Sequence, residues 1–210
     1  MDNFSLIHPL IKTLIPFSVP SYSINDAIRE ALREFCAETL LLKKPITLNL
    51  VAGTADYSLT GLTTETIVRI VNITNDTQHD LVPLNKIGSH SHQGKATAYH
   101  CKNTHSIEFY PIPKENETVI VELALKPALD AVTIEAGILD TYAEIIRDGA
   151  LAFLLSQKGN EWSDDQKASQ YQYLFKQRPQ VFVLMRLMVF PKLKQWLQVG
   201  LSFEDSYFCW

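Results

Sequence analysis

The sequence predicts an α+β protein, a small helical bundle with a β-rich insertion and an extended arm at each end. Three observations carry this. Apolar residues recur at helical spacing near both ends of the chain and not in its middle. The middle alternates instead, with β-branched residues between turn signals. The outermost stretches are strongly apolar, and prolines break the first of them.

Composition places limits on function. The 210 residues are 46% hydrophobic and 20% charged, as in globular domains. Nineteen Lys and Arg against 23 Asp and Glu leave a net charge of −4, so no overall basic field draws the chain to nucleic acid. The first twenty residues lack the basic region and cleavage site of a signal peptide. No run approaches the ~18 apolar residues of a membrane span. Cys36, Cys101 and Cys209 are odd in number and form no CxxC pair, which reads as free thiols in a reducing compartment.

Taken in order, residues 1–22 form the N-terminal arm. Pro9, Pro16 and Pro20 oppose a continuous helix, yet Phe4, Ile7, Ile11 and their neighbours are too apolar to stay uncovered. The spacing of Ile24, Ala27, Ile28, Ala31, Leu32, Phe35 and Cys36 predicts a helix over 23–42. Ser23 with Asp26 resembles a capping box, Lys43 and Lys44 favour the C-terminal dipole, and Pro45 stops the helix. Residues 45–136 form the insertion. Ile46, Leu48 and Leu50 alternate, Ile67 to Ile73 is β-branched, 97–110 reads as a hairpin, and Val119 to Leu125 alternates again. Helices follow over 139–158, closed by Gly159, and over 163–178, opened by Ser163 with Gln166 and ended by Arg178-Pro179. Residues 23–44 and 137–178 make up the bundle. Its expected packing residues are Phe35, Ile146, Gly149, Ala150, Phe153, Trp162, Tyr171 and Phe175. Small Gly149 and Ala150 allow close approach by the helix at 23–42. The insertion holds 6 basic and 10 acidic groups, so the acidic balance lies there.

Residues 179–210 form the C-terminal arm, which holds the candidate docking surface: Val181, Phe182, Leu184, Met185, Arg186, Met188 and Phe190, then Lys192, Lys194 and Trp196. Such an apolar run needs cover, from another chain or from its own core.

Signs of catalysis are few. His90 and His92 form an H-x-H pair in a polar loop, near His79, His100, Cys101 and His105, but without the regular spacing of a metal site. The alternatives are a metal-dependent hydrolase using the loop at 90–105 and ordinary exposed histidines. Glu144 and Asp148, one helical turn apart, read either as an acid–base pair or as solvated surface carboxylates. No phosphate-binding glycine loop and no GxSxG elbow occurs. Lys192 and Lys194 beside Trp196 leave a nucleic-acid-binding module as a further reading. The expectation is a protein that is not an enzyme and carries no cofactor or metal.

Two stretches resemble a known group. One runs from Tyr142, Ile145 and Ile146 through Gly149-Ala150-Leu151 to Trp162-Ser163-Asp164, Ala168, Tyr171 and Phe175. The other is Tyr57-Ser58-Leu59 with Phe109-Tyr110-Pro111-Ile112-Pro113. Their order over 23–178 resembles the head-to-tail adaptor proteins of tailed bacteriophages, also called head completion, neck or tail accessory proteins, and is similar to the tail tubular protein A group. The resemblance implies a homo-oligomeric ring, commonly of twelve copies, beneath the portal. It also implies a tail tube or nozzle protein on the other face and double-stranded DNA passing through without sequence-specific binding. It places the protein in the neck of the virion, after synthesis in the bacterial host cytoplasm and with no membrane contact.

Overall fold

The computed structural model describes residues 3–60, 62, 64–88 and 92–189, and for residues 136 and 178–189 it describes the backbone alone. The fold is α+β. The chain divides into two compact units, one joining residues 3–39 to residues 126–189, the other spanning 40–125.

The helical unit begins with a 3-10 turn, Asn3–Leu6, and a short helix α1, His8–Lys12. The expected extended arm is therefore helical over these residues. Pro9 occupies the first turn of α1, where its missing N–H leaves no bond unmade. Phe4, Ile7, Ile11, Ile15 and Val19 are buried, so this segment is part of its own unit's core. The bidentate Asn3 amide pins it to Ile134, and a His8 ring nitrogen lies 2.6 Å from Asn25 Oδ1.

Helix α2 runs Ser21–Thr39, two residues earlier at its start and three at its end than the spacing predicts. Ser23 is buried inside the helix rather than capping it, since the helix starts right after Pro20, whose carbonyl accepts from the Ile24 amide. Leu40 ends it by taking φ 51°, in the left-handed region. Lys43 and Lys44 belong to the following strand, pairing with Glu122 at 3.2 Å and Glu65 at 3.9 Å. Residues 127–134, which the sequence assigns to the insertion, are held by the helical unit. Arg29 Nε donates to the Ala131 carbonyl at 2.6 Å, and Arg33 donates to that of Pro127.

Helix α3 spans Ala136–Ser156, with a kink at Tyr142, whose ring packs 5.1 Å from that of Phe35. Helix α4 spans Asp165–Val189. Asp164, not Ser163, caps it: its Oδ1 accepts from the Lys167 amide at 3.0 Å. That bond and the Lys167 ammonium hold the Asp164 carboxyl below its usual range. The expected stop at Arg178-Pro179 does not occur. Proline in a helix interior removes one hydrogen bond, but the following Val-Phe-Val-Leu-Met-Arg-Leu-Met-Val offers no glycine and no capping residue to end the helix.

The β unit contains β1 (Lys43–Leu50), β2 (Asp56–Ser58), β3 (Glu65–Asn75), β4 (Val82–Pro83), β5 (Gln93–Gly94), β6 (Ala98–Asn103), β7 (Ser106–Tyr110), β8 (Ile112–Pro113) and β9 (Glu117–Pro127). They form sheets ordered β1-β9-β3 and β2-β7-β6-β4, with β5 paired to β8. Alternation sets the register of the antiparallel β1–β9 pair, with Ile46 opposite Val121 and Leu48 opposite Val119. Pro45 is tolerated because β1 lies at a sheet edge. Ile70, Ile73, Ile107, Phe109, Val119, Val121 and Leu123 form the core. Tyr57 packs edge-on to Phe109, and its hydroxyl accepts from the Val51 amide at 2.6 Å, closing the turn at Gly53. At the base of the unit the Leu125 amide donates to the Leu42 carbonyl at 2.8 Å, tying its two ends together.

Candidate assembly interface

The centre of the helical unit is a three-helix contact at Gly149. A Cβ there would lie 2.8 Å from two Phe175 ring carbons on α4 and 2.9 Å from Ala31 Cβ on α2. These distances are shorter than real contacts, so only glycine lets the three helices meet. Phe35, Ile146, Ala150 and Phe175 are fully buried around it. Of the other expected packing residues, Trp162 and Tyr171 are half-buried, and Phe153 is 38% exposed. Phe153 instead walls a groove of about 300 Å³, floored by Ala31, Gly149, Ala152 and Ala168 and rimmed by Glu30 and Glu34.

One residue after Phe175, the Lys176 ammonium bridges Glu34 and Glu38 across to α2. Burial opposes its charge, but the hydrogen bonds it donates to Glu34 and Glu38 outweigh it and hold Lys176 above the usual lysine range. The sequence pattern did not reveal this clamp, because its members lie far apart in the chain and look like ordinary solvated charges. Beyond it, α4 carries the backbone of Val181, Phe182, Leu184, Met185, Arg186 and Met188. Phe190, Lys192, Lys194 and Trp196 lie outside the described residues.

A second apolar surface lies on the N-terminal segment. While Phe4, Ile7, Ile11 and Ile15 face the core, Leu6, Leu10, Leu14 and Phe17 are 62, 39, 45 and 47% exposed. The segment is thus apolar on both sides, which is why its pattern did not resolve as an amphipathic helix.

The groups singled out for chemistry are dispersed. His100 Nδ1 lies 2.9 Å from the Leu84 carbonyl oxygen, His105 Nδ1 2.8 Å from Thr104 Oγ1, and His79 Nδ1 3.0 Å from the Thr77 carbonyl oxygen. The His92 ring is tilted against Tyr110, and His90 lies outside the described residues. Among the described residues no three His, Cys, Asp or Glu side chains come together as a metal site. Glu144 is exposed, whereas Asp148 is fully buried and accepts from Arg147 at 2.6 and 2.9 Å, so Asp148 is not a surface carboxylate. Cys36 is a free thiol on the buried face of α2, and burial pushes it up to about 12. Cys101 is disulfide-bonded, which corrects its reading as a free thiol, and Cys209 lies outside the described residues. No described helix is long and apolar enough to cross a membrane.

Exposed apolar side chains on the helical unit, such as Leu6, Leu10, Leu14 and Phe17, are features of a surface that docks. The sequence matches the SU10 adaptor protein family over residues 6–180, most of both units, and the chain belongs to that family. It is a structural adaptor protein of a bacteriophage virion, and its family implies contact with other head or tail proteins. A comparison with curated proteins gave no match.

Proposed function

We propose that the chain is a neck adaptor in the manner of the tail tubular protein A group. Copies form a ring, of twelve in this reading, that joins the portal of the DNA-filled head to a tail tube or nozzle protein. Membership of an adaptor family across residues 6–180 carries the reading. Two features support it. The β unit over residues 40–125 holds 7 basic and 8 acidic groups, so it carries no basic field that would grip the phosphates of passing DNA. The continuation of α4 past Pro179 puts the run from Val181 to Met188 on a helix, a form suited to insertion into a partner groove. Phe190, Lys192, Lys194 and Trp196 extend that anchor, and Arg186 and the lysines favour an acidic portal surface. Burying one large apolar side chain is worth roughly 1.5–3 kcal/mol before ordering costs, so several suffice to hold a subunit. The protein is made in the host cytoplasm and ends in the neck.

Deleting residues 181–210 tests the anchor. Phe175 and the Lys176 clamp lie upstream, so circular dichroism of the truncated chain should match that of the full chain. Co-sedimentation with portal rings should be lost. Undiminished co-sedimentation would move the anchor elsewhere, and an unfolded product would place 181–189 in the unit's own core.

A further inference from the structure

The three cysteines of the chain stand in different situations. Cys36 is a free thiol on the buried face of α2, and burial keeps it protonated by pushing it up to about 12. Cys101 lies in β6 and is disulfide-bonded. With Cys36 free, Cys209 is the cysteine left in the chain to pair with it.

Cys101 sits where a further segment can arrive. It packs against the β core but is only partly buried. On one side β6 pairs with β7, where Cys101 lies opposite Ile107. On the other side β4 pairs with β6 at Ala98 and Tyr99 and goes no further, so no described strand pairs with β6 there at Cys101. The tail has the reach to arrive without giving up the docking role proposed for residues 181–196. Val189 and Cys209 are 20 positions apart, a length of chain that spans about 65 Å when extended.

Chemistry sets the timing. Glutathione and thioredoxin hold cytosolic thiols reduced, so the bond is not expected while the chain is made and assembled in the host. A released virion no longer meets those reductants. We infer that Cys101 and Cys209 of one chain join after the particle leaves the cell, fixing the end of the C-terminal arm to strand β6. The inference rests on the adaptor reading for its setting. One cysteine thiolate attacks a low-molecular-weight disulfide, oxidised glutathione, and expels a glutathione thiolate. The other thiolate attacks the resulting mixed disulfide and expels the second. The two cysteine thiols lose two electrons and two protons in all, and one glutathione disulfide becomes two glutathione thiols. The arm is thus untied while it docks and tied once docking is complete.

Mass spectrometry of the alkylated chain tests it. Infected cells are opened into N-ethylmaleimide before lysis, and released virions are treated alike without reductant. Trypsin places Cys101 in peptide 96–102 and Cys209 in peptide 195–210. From cells, both peptides should carry the alkyl group. From virions they should appear joined, in a chain that runs as a monomer on a non-reducing denaturing gel. Dithiothreitol should abolish the joined species, and so should Cys209→Ser. Alkylated Cys101 in virions would overturn the inference, as would a joined pair already present in cells, or a dimer on the gel. The adaptor reading survives each of those results. Absence of the chain from virions would remove the adaptor reading instead, and the purified chain treated with oxidised glutathione would then decide the pairing.

Discussion

The two units manage apolar surface differently. Of thirteen large hydrophobic residues exposed among the described residues, ten belong to the helical unit, and the β unit exposes only Val51, Val82 and Ile120. The β unit satisfies itself, because its alternating strands turn one face into a shared core and the other to water. The helical unit has apolar residues on more sides than its few helices can cover. Within one chain, a self-contained unit is joined to one whose surface calls for a partner.

That contrast can be broken or sharpened by mutation. The largest effect is expected at Phe175, whose replacement by Ala should cost about 3–5 kcal/mol and lower the unfolding temperature of the helical unit on the order of 10 °C. Ile107→Ala should cost the β unit about 2–5 kcal/mol, and calorimetry resolving two transitions would show whether each loss stays within its own unit. Gly149→Leu should follow at about 1–3 kcal/mol or more, since even a methyl group there meets Phe175 and Ala31. An unchanged melting temperature would remove that three-helix contact. Lys176→Met should cost under about 1 kcal/mol, because the side chain is 41% exposed and its ion pairs are screened. Its folded-state pKa is raised, so the clamp's contribution is complete below the unfolded lysine value of about 10.4 and fades as pH rises through the higher folded value. Denaturant titrations of variant and parent should therefore converge at strongly alkaline pH. Smallest of all, Leu14→Ser should change stability by no more than about 0.5 kcal/mol, despite being a leucine in an apolar segment. A large loss there would mean that Leu14 belongs to the core.

The fold was legible where one face was apolar and the other polar. Ile24 to Cys36 announced α2, and Val119 to Leu125 announced β9, because burial on one side imposes its period on the sequence. Gly149 was legible from size alone. The N-terminal segment was not, because Leu6 and Leu10 mask the period that Ile7 and Ile11 set. The helix beyond Pro179 was not legible, because proline's local cost points to a stop while the apolar run after it holds no residue that makes one. The groove and the Lys176 clamp join residues more than a hundred positions apart, and no local pattern encodes such meetings.

The 2.8 Å bond between Leu42 and Leu125 has a consequence for how the chain is made. During synthesis α2 emerges with its apolar face bare and waits for α3, which lies roughly a hundred residues later. Closing a loop of that length on its own costs entropy that grows with its logarithm. Pairing β1 with β9 closes it in advance, leaving α2 and α3 tethered to adjacent strand ends. The inserted unit then acts as a clasp, letting the bundle assemble as though its helices were neighbours in sequence. Refolding kinetics should accordingly show the β unit gaining protection from hydrogen exchange before the contact at Gly149 forms.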